Sequence, residues 1–318
     1  MNQHLVALDF DGTIAATFEP SPNGMDVSIA SKLAIGKKYG SRGLEVYDQI
    51  GGLGGREPGE LIALMHLRLG INPATRDDTE LYVSEKLASI TPEISPTWPR
   101  LLPGVGNFFR DVSDRRIPVD LSIISSGHNK FIERVFEVNG IDVPHNLVTS
   151  DELRQRPMPL ERPRFKPHTF QLAQAHRNWD QEIADEFTSL SGLSVNFHDI
   201  PSEHRERSHH KPYMLYVGDD YIKDGGLAWN GRIPFVFIPP ANSNYTPNCD
   251  RGQIMVSDFN DLRTILRFGR EGIENGESFS EIILGKPDAE LFPPLDPEAR
   301  PFAKWMEKRR AGVGPERF

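Results

Sequence analysis

Apolar positions along this chain follow two periods. In the first, they form short continuous runs: "HLVAL" before Asp9, "VDLSII", "NLVTS", "YMLYVG" and "IPFVFI". Runs this short, without polar alternation, predict strands buried on both faces. In the second, they recur at helical spacing. Val105, Phe108, Phe109 and Val112 share one face of "GVGNFFRDVSDRR", and "HNKFIERVFEVNG" closes near Gly140. Leu262, Ile265 and Leu266 share a face of "SDFNDLRTILRF". Strands alternating with helices predict an α/β protein whose parallel sheet carries helices on both faces.

Three regions depart from this alternation. From about residue 18 to 101 the pattern is helical, with Leu61, Leu64, Met65 and Leu69 near helical spacing before Gly70, and Val83, Leu87 and Ile90 on one face. That region ends in a linker holding Pro92, Pro96, Pro99 and Pro103. Residues 176 to 212 are polar and rich in His, Glu and Arg, and read as an insertion. Residues 271 to 318 hold six prolines and mixed charge, and read as a tail.

Four polar groups punctuate the apolar runs. Asp9 and Asp11 follow the first strand, and Gly12-Thr13 comes directly after. Ser125, Ser126 and Gly127 follow another strand. Lys166 stands in "RFKPHTF", and Asp219, Asp220 and Asp224 follow "YMLYVG". If the strands are parallel, these groups converge on the carboxyl edge of the sheet, where such sheets bind ligands. Burying carboxylates there costs free energy unless a cation or hydrogen bonds compensate it. Two acids, a hydroxyl, a lysine and a second acidic cluster suit a hard cation beside a phosphate.

Read in order, these stretches resemble the four motifs of the haloacid dehalogenase superfamily of phosphotransferases. "DFDGT" fits its D-x-D-x-T pattern, followed by the serine of "IISSG", the lysine of "FKP" and the acids of "GDDYIKD". The core resemblance covers residues 4–15 and about 103–270. It implies a Rossmann-like core over 1–17 and 102–270, an inserted mostly α-helical cap over 18–101, and a C-terminal tail over 271–318. "SSGHNKFIERVFEVNGI" resembles the phosphoserine-phosphatase-like branch, whereas "GGLGGREPGELIAL" resembles the cap of the phosphoglucomutase-like branch.

The resemblance implies roles for individual residues. Asp9 would be the nucleophile that forms an aspartyl-phosphate, and Asp11 the general acid and then base. Mg²⁺ would be held by Asp9, the main-chain carbonyl of Asp11 and Asp219, with Asp220 and Asp224 competing for the supporting role. Ser125 and Lys166 would face the phosphoryl group, with Lys211 as the rival for the lysine. Thr13, Ser126, Gly127 and, from the cap, Arg56 would contact substrate. The expected activity is Mg²⁺-dependent hydrolysis of a small phosphomonoester. A phosphomutase and a non-catalytic scaffold on the same fold are the alternatives.

Composition narrows the setting. With 38% hydrophobic and 25% charged residues in 318, the chain can bury a sizeable core. A net charge of −9 argues against a broad nucleic-acid face. Cys249 stands alone, which excludes an internal disulfide and suggests a reducing cytoplasm. "MNQHLVALDF" lacks the basic head of a secretory signal, and no apolar run is long enough to span a bilayer. "GGLGGRE" lacks the Lys-Ser/Thr of a phosphate loop. His204, His209 and His210 read as a solvated loop rather than a metal site.

Overall fold

The computed structural model describes residues 4–52, 58–151, 166, 171–172, 174–175, 213–240 and 252–291. Six strands form one sheet: β1 (His4–Leu8), β2 (Asp120–Ile124), β3 (Asn146–Val148), β4 (Tyr213–Gly218), β5 (Phe235–Phe237) and β6 (Gln253–Met255). Their order is β3-β2-β1-β4-β5-β6, and every neighbouring pair is parallel. The chain therefore builds outward from β1 on one side, then returns to lay β4 against its other side. That reversal makes a topological switch point between the carboxyl ends of β1 and β4.

The pleat divides the core in two. Val6, Leu8, Ile123, Leu215, Val217 and Val236 face one side. There they meet α4 (Val105–Ser113), α5 (Asn129–Val138) and α7 (Phe259–Phe268). Leu5, Ala7, Ile124, Met214 and Tyr216 face the other, against Leu172, Ala175 and α6 (Lys223–Gly231). The strands read as unbroken apolar runs because both faces are covered. β6 begins on the polar Gln253 and ends on the exposed Met255, so it did not stand out in the sequence.

The helical region after the first motif comprises α1 (Val27–Gln49), α2 (Pro58–Leu69) and α3 (Arg76–Ile90), with α1 interrupted at Gly40. These helices bury a cluster of their own, including Ile35, Tyr47, Leu61, Met65 and Tyr82. Asp26 caps α1, and Thr75 with Asp78 forms a capping box on α3. The two chain crossings into the sheet are stitched together. Ala16 N–H donates to Arg100 O at 2.9 Å, Leu102 N–H to Ile14 O at 2.9 Å, and Trp98 Nε1–H to Glu19 O at 2.7 Å.

Over its described part, the segment read as a tail from residue 271 wraps onto the core as short helices. Residues 270–284 form α8 (Arg270–Asn275) and α9 (Phe279–Leu284), and a short helix at Asp288–Leu291 follows. Ile273 and Phe279 join the main core, and buried His4 bonds Glu277 O through Nε2 at 2.6 Å. Counting prolines over the whole stretch hid these apolar residues. Residues 292–318 and the insertion 176–212 lie outside the described residues. Among the described residues, no helix is long and apolar enough to cross a membrane.

One buried charge ties two helices together. Asp111 of α4 accepts from Arg263 of α7, and from Arg116 at 3.4 Å. The Arg263 bond outweighs burial and holds the Asp111 carboxyl below its ordinary value. A depressed folded-state pKa contributes stability above the unfolded value and loses it as pH falls through the folded one. Asp111→Asn should therefore lower unfolding free energy at neutral pH by about 1–3 kcal/mol. The gap to wild type should close as the pH enters the acid range. Urea melts of both proteins across that range check this, and a gap of constant size would contradict it.

Candidate active site

The site is built where β1 and β4 end. Asp9 continues the ladder, its N–H donating to Val217 O at 2.9 Å. Its side chain is buried and ion-paired with the Lys166 ammonium. The same Lys166 Nζ lies 2.8 Å from Asp224 Oδ1, and 5.4 Å from the ring centre of Tyr216. The Lys166 side chain is only 8% exposed. Asp219, the first residue after β4, completes the group. Asp9, Asp219 and Asp224 each present an oxygen within 4.8 Å of the others.

One ammonium cannot balance three crowded carboxylates, and their protonation reflects this. Burial, then Asp9 and Asp224, push Asp219 up to about 8. Burial pushes Asp224 up to about 6 against the pull of Lys166. Asp9 is also raised, by burial and by Asp11, although Lys166 opposes the rise. Burial works to neutralise Lys166, but Asp224 and Asp9 override it and keep it charged well above its ordinary range. The residual negative charge and the all-oxygen donor set fit a hard divalent cation.

The backbone makes room for this crowding at Gly12. Its φ is +84°, and a Cβ there would lie 2.3 Å from Asp219 Oδ2. Gly12 N–H donates to Ala15 O at 2.9 Å, which closes the turn after Asp11. Thr13 is fully buried and donates to Asp219 Oδ1 at 3.0 Å, so it orients that carboxylate within the protein. Asp11 is half-buried, and Ser125 Oγ lies 3.4 Å from its Oδ2. Gly127 N–H donates to Ser125 Oγ at 2.8 Å, which turns the serine hydroxyl toward Asp11.

Most of the residues singled out from the sequence come together here: Asp9, Asp11, Thr13, Ser125, Gly127, Lys166, Asp219 and Asp224. Asp220 does not join the carboxylate group. Its Oδ1 accepts from Ile222 N–H at 3.0 Å and Lys223 N–H at 2.9 Å, and its Oδ2 pairs with Lys223 Nζ at 3.0 Å. Asp220 thus secures the start of α6, a common use of aspartate before a helix. Ser126 is exposed beside the buried Ser125. Arg56 and Lys211 lie outside the described residues.

Two participants went unnoticed in the sequence. The Tyr216 hydroxyl donates to Asp224 Oδ1 at 3.3 Å, with Ile124 O at 3.4 Å. Gln171 is fully buried; its Oε1 accepts from Lys166 N–H at 3.2 Å and its Nε2 donates to Ser125 O at 3.3 Å. Tyr216 carried a signal, being the polar-tipped residue nearest the end of an aliphatic strand. Gln171 carried none.

No protein-family model matches the sequence, and no curated protein matches it. Among solved structures the chain is similar to CbbY from Rhodobacter sphaeroides in complex with phosphate, with 15% identity and a TM-score of 0.47 over 82% of this chain and 96% of that one. It is also similar to a HAD hydrolase, family IA, variant 3, from Entamoeba histolytica, with 14% identity and a TM-score of 0.48 over 83% and 99%. A hydrolase from Pseudomonas syringae gives 15% identity and a TM-score of 0.48 over 83% and 97%. Likeness at this level transfers neither an activity nor a substrate.

The Gly12 contact yields a test of the site's packing. Gly12→Ala should cost about 1–3 kcal/mol, the scale of a strained positive φ, and should also displace Asp219. Thermal melts and a crystal structure of the variant would check both effects. An unshifted Asp219 carboxylate in a fully stable variant would contradict them.

Proposed function

We propose that the chain is a Mg²⁺-dependent phosphatase of the haloacid dehalogenase superfamily, hydrolysing a small phosphomonoester. The observation that carries this reading is the Asp9 carboxylate, buried at the switch point and held by Lys166 among Asp219 and Asp224. Asp11, on the same edge two residues on, has its carboxyl beside the Ser125 hydroxyl.

The steps follow from what these side chains can do. An oxygen of Asp9 attacks phosphorus, the bond to the leaving alcohol oxygen breaks, and an aspartyl-phosphate forms on Asp9. Asp11 in its protonated form gives its proton to that oxygen. The carboxylate left behind then takes a proton from water, which attacks the aspartyl-phosphate and releases inorganic phosphate. Ser125 Oγ donates to a phosphoryl oxygen. Lys166 keeps Asp9 aligned and adds positive charge where the transferring group gathers negative charge.

A Mg²⁺ held by Asp9, Asp219 and the Asp11 carbonyl would neutralise charge, so that an anionic nucleophile can meet an anionic phosphate. The three-carboxylate donor set supports this assignment. Asp224 suits the supporting role better than Asp220. Its Oδ1 faces Lys166 and Tyr216, and its Oδ2 accepts from Asp220 N–H at 3.1 Å. Helices α1–α3, with their own buried cluster and stitched crossings, suit a cap that covers the site and limits bulk water.

Two variants test the reading in a screen of phosphomonoesters for Mg²⁺-dependent phosphate release. Asp9→Asn should remain folded and lose turnover, because a carboxamide is nearly isosteric but cannot form the acyl phosphate. Wild-type-like release by that variant would remove Asp9 from the nucleophile's role. Lys166→Ala should lower kcat by about a hundredfold or more, the scale of losing one preorganised donor. Folding is checked by thermal melts, and a kcat within a few-fold of wild type would move the lysine's role elsewhere.

A further inference from the structure

The Ser125 loop is held from the neighbouring strand by a polar network. Ser150, just past β3 and fully buried, donates its hydroxyl to Gly127 O at 2.6 Å, and its N–H reaches the same oxygen at 3.2 Å. Next to it, Asp151 spreads its carboxylate over the start of α5. Its Oδ2 accepts from Asn129 N–H at 2.8 Å, and its Oδ1 lies 3.0 Å from Nδ1 of the buried His128. A carboxylate only accepts, so the His128 Nδ1 facing it carries the proton. Thr149 Oγ donates to Asn129 Oδ1 at 2.5 Å and accepts from Asp151 N–H at 3.2 Å. His128 offers no side-chain cap to α5, so Asp151, three residues past the end of β3, supplies one from a separate segment of the chain.

We infer that Asp151, with Ser150, is a positioning residue that locks the 125–129 loop in the conformation that aims Ser125 Oγ and Gly127 at the phosphoryl site. Four short chain positions, Ser125 to His128, connect the end of β2 to α5. Asp151 fixes one end of that connection and Ser150 its middle. Gly127 in turn fixes the serine hydroxyl through its N–H. This role rests on the phosphatase reading only for its kinetic consequence. Its structural consequence, an ordered loop, does not.

Both consequences are measurable. In Asp151→Ala, amide hydrogen exchange over residues 125–132 should speed up by about tenfold or more, the scale of losing a hydrogen bond to a charged group. Exchange in β1 and β4 should stay as in wild type. Asp151→Asn, which keeps an acceptor oxygen and the same shape, should restore most of the protection. Ser150→Ala, a smaller change, gives the same readout if Asp151→Ala folds poorly. An unchanged exchange rate over 125–132 in both alanine variants overturns the inference whatever the turnover.

The kinetic arm uses para-nitrophenyl phosphate at saturating Mg²⁺, with inorganic phosphate as inhibitor. A loop that holds ground state and transition state alike should, when loosened, raise KM and the phosphate inhibition constant together while kcat stays within a few-fold. A merely structural role would lower kcat through loss of folded enzyme and leave KM alone, and that result also overturns the inference. Wild-type protein that releases no phosphate in the whole phosphomonoester screen overturns the reading of the site instead, and the exchange data then decide the loop's positioning by themselves.

Discussion

The Lys166 ammonium, shared between Asp9 and Asp224, is the interaction on which the rest of the site depends. All three groups are buried, and an unpaired charge in such surroundings costs several kcal/mol. Asp9 comes from the end of β1 and Asp224 from the first turn of α6, while Lys166 arrives from a segment between β3 and β4. One cation thus joins three distant parts of the chain at one point. It leaves a surplus of negative charge with Asp219, and that surplus is what makes the group suited to a divalent cation.

The sheet makes this convergence rigid. β1 lies in the middle, hydrogen-bonded to β2 on one side and β4 on the other, and covered on both faces. Asp9 and Asp219 follow paired strands, so their separation is set by the ladder rather than by loop conformation. Glycine at residue 12 then lets the chain turn without filling the space Asp219 needs. Another buried carboxylate, Asp111, shows a different solution. It pairs with Arg263 and Arg116, which hold it ionised, a structural arrangement.

The helices inserted after the first motif are joined to the same edge. The strand-like crossings at residues 14–16 and 100–102 are hydrogen-bonded to each other directly beyond Asp11 and Thr13. Ser21 and Asn23 both donate to Glu93 at 2.9 Å, further along the two linkers. Their separate hydrophobic cluster keeps the three helices together as a unit, while Ala30 of α1 and Ile90 of α3 also join the main core.

The alternation of buried strands and amphipathic helices determined the parallel α/β core from sequence alone, because burial on both faces removes polar alternation. Asp9, Asp11 and Asp219 stood out for a related reason: an acid ending an apolar run must find compensation somewhere in the fold. Lys166 stood out only by its place in order among the motifs, and its contacts with Asp9 and Asp224 come from folding across a long stretch of chain. Asp220 and Asp224 could not be separated by spacing, since both follow the same strand; in the fold the start of α6 takes Asp220 into its first backbone N–H groups, while Asp224 meets Lys166. Gln171, Tyr216 and the Ser150–Asp151 network acquire their roles through contacts between residues far apart in sequence. The helices at 270–284 were lost among prolines, and only the packing of Phe279 and Ile273 against the sheet's helices made that segment part of the core. Local pattern fixes which residues can be buried; which charges then meet is settled by strand order, and strand order exists only in the folded chain.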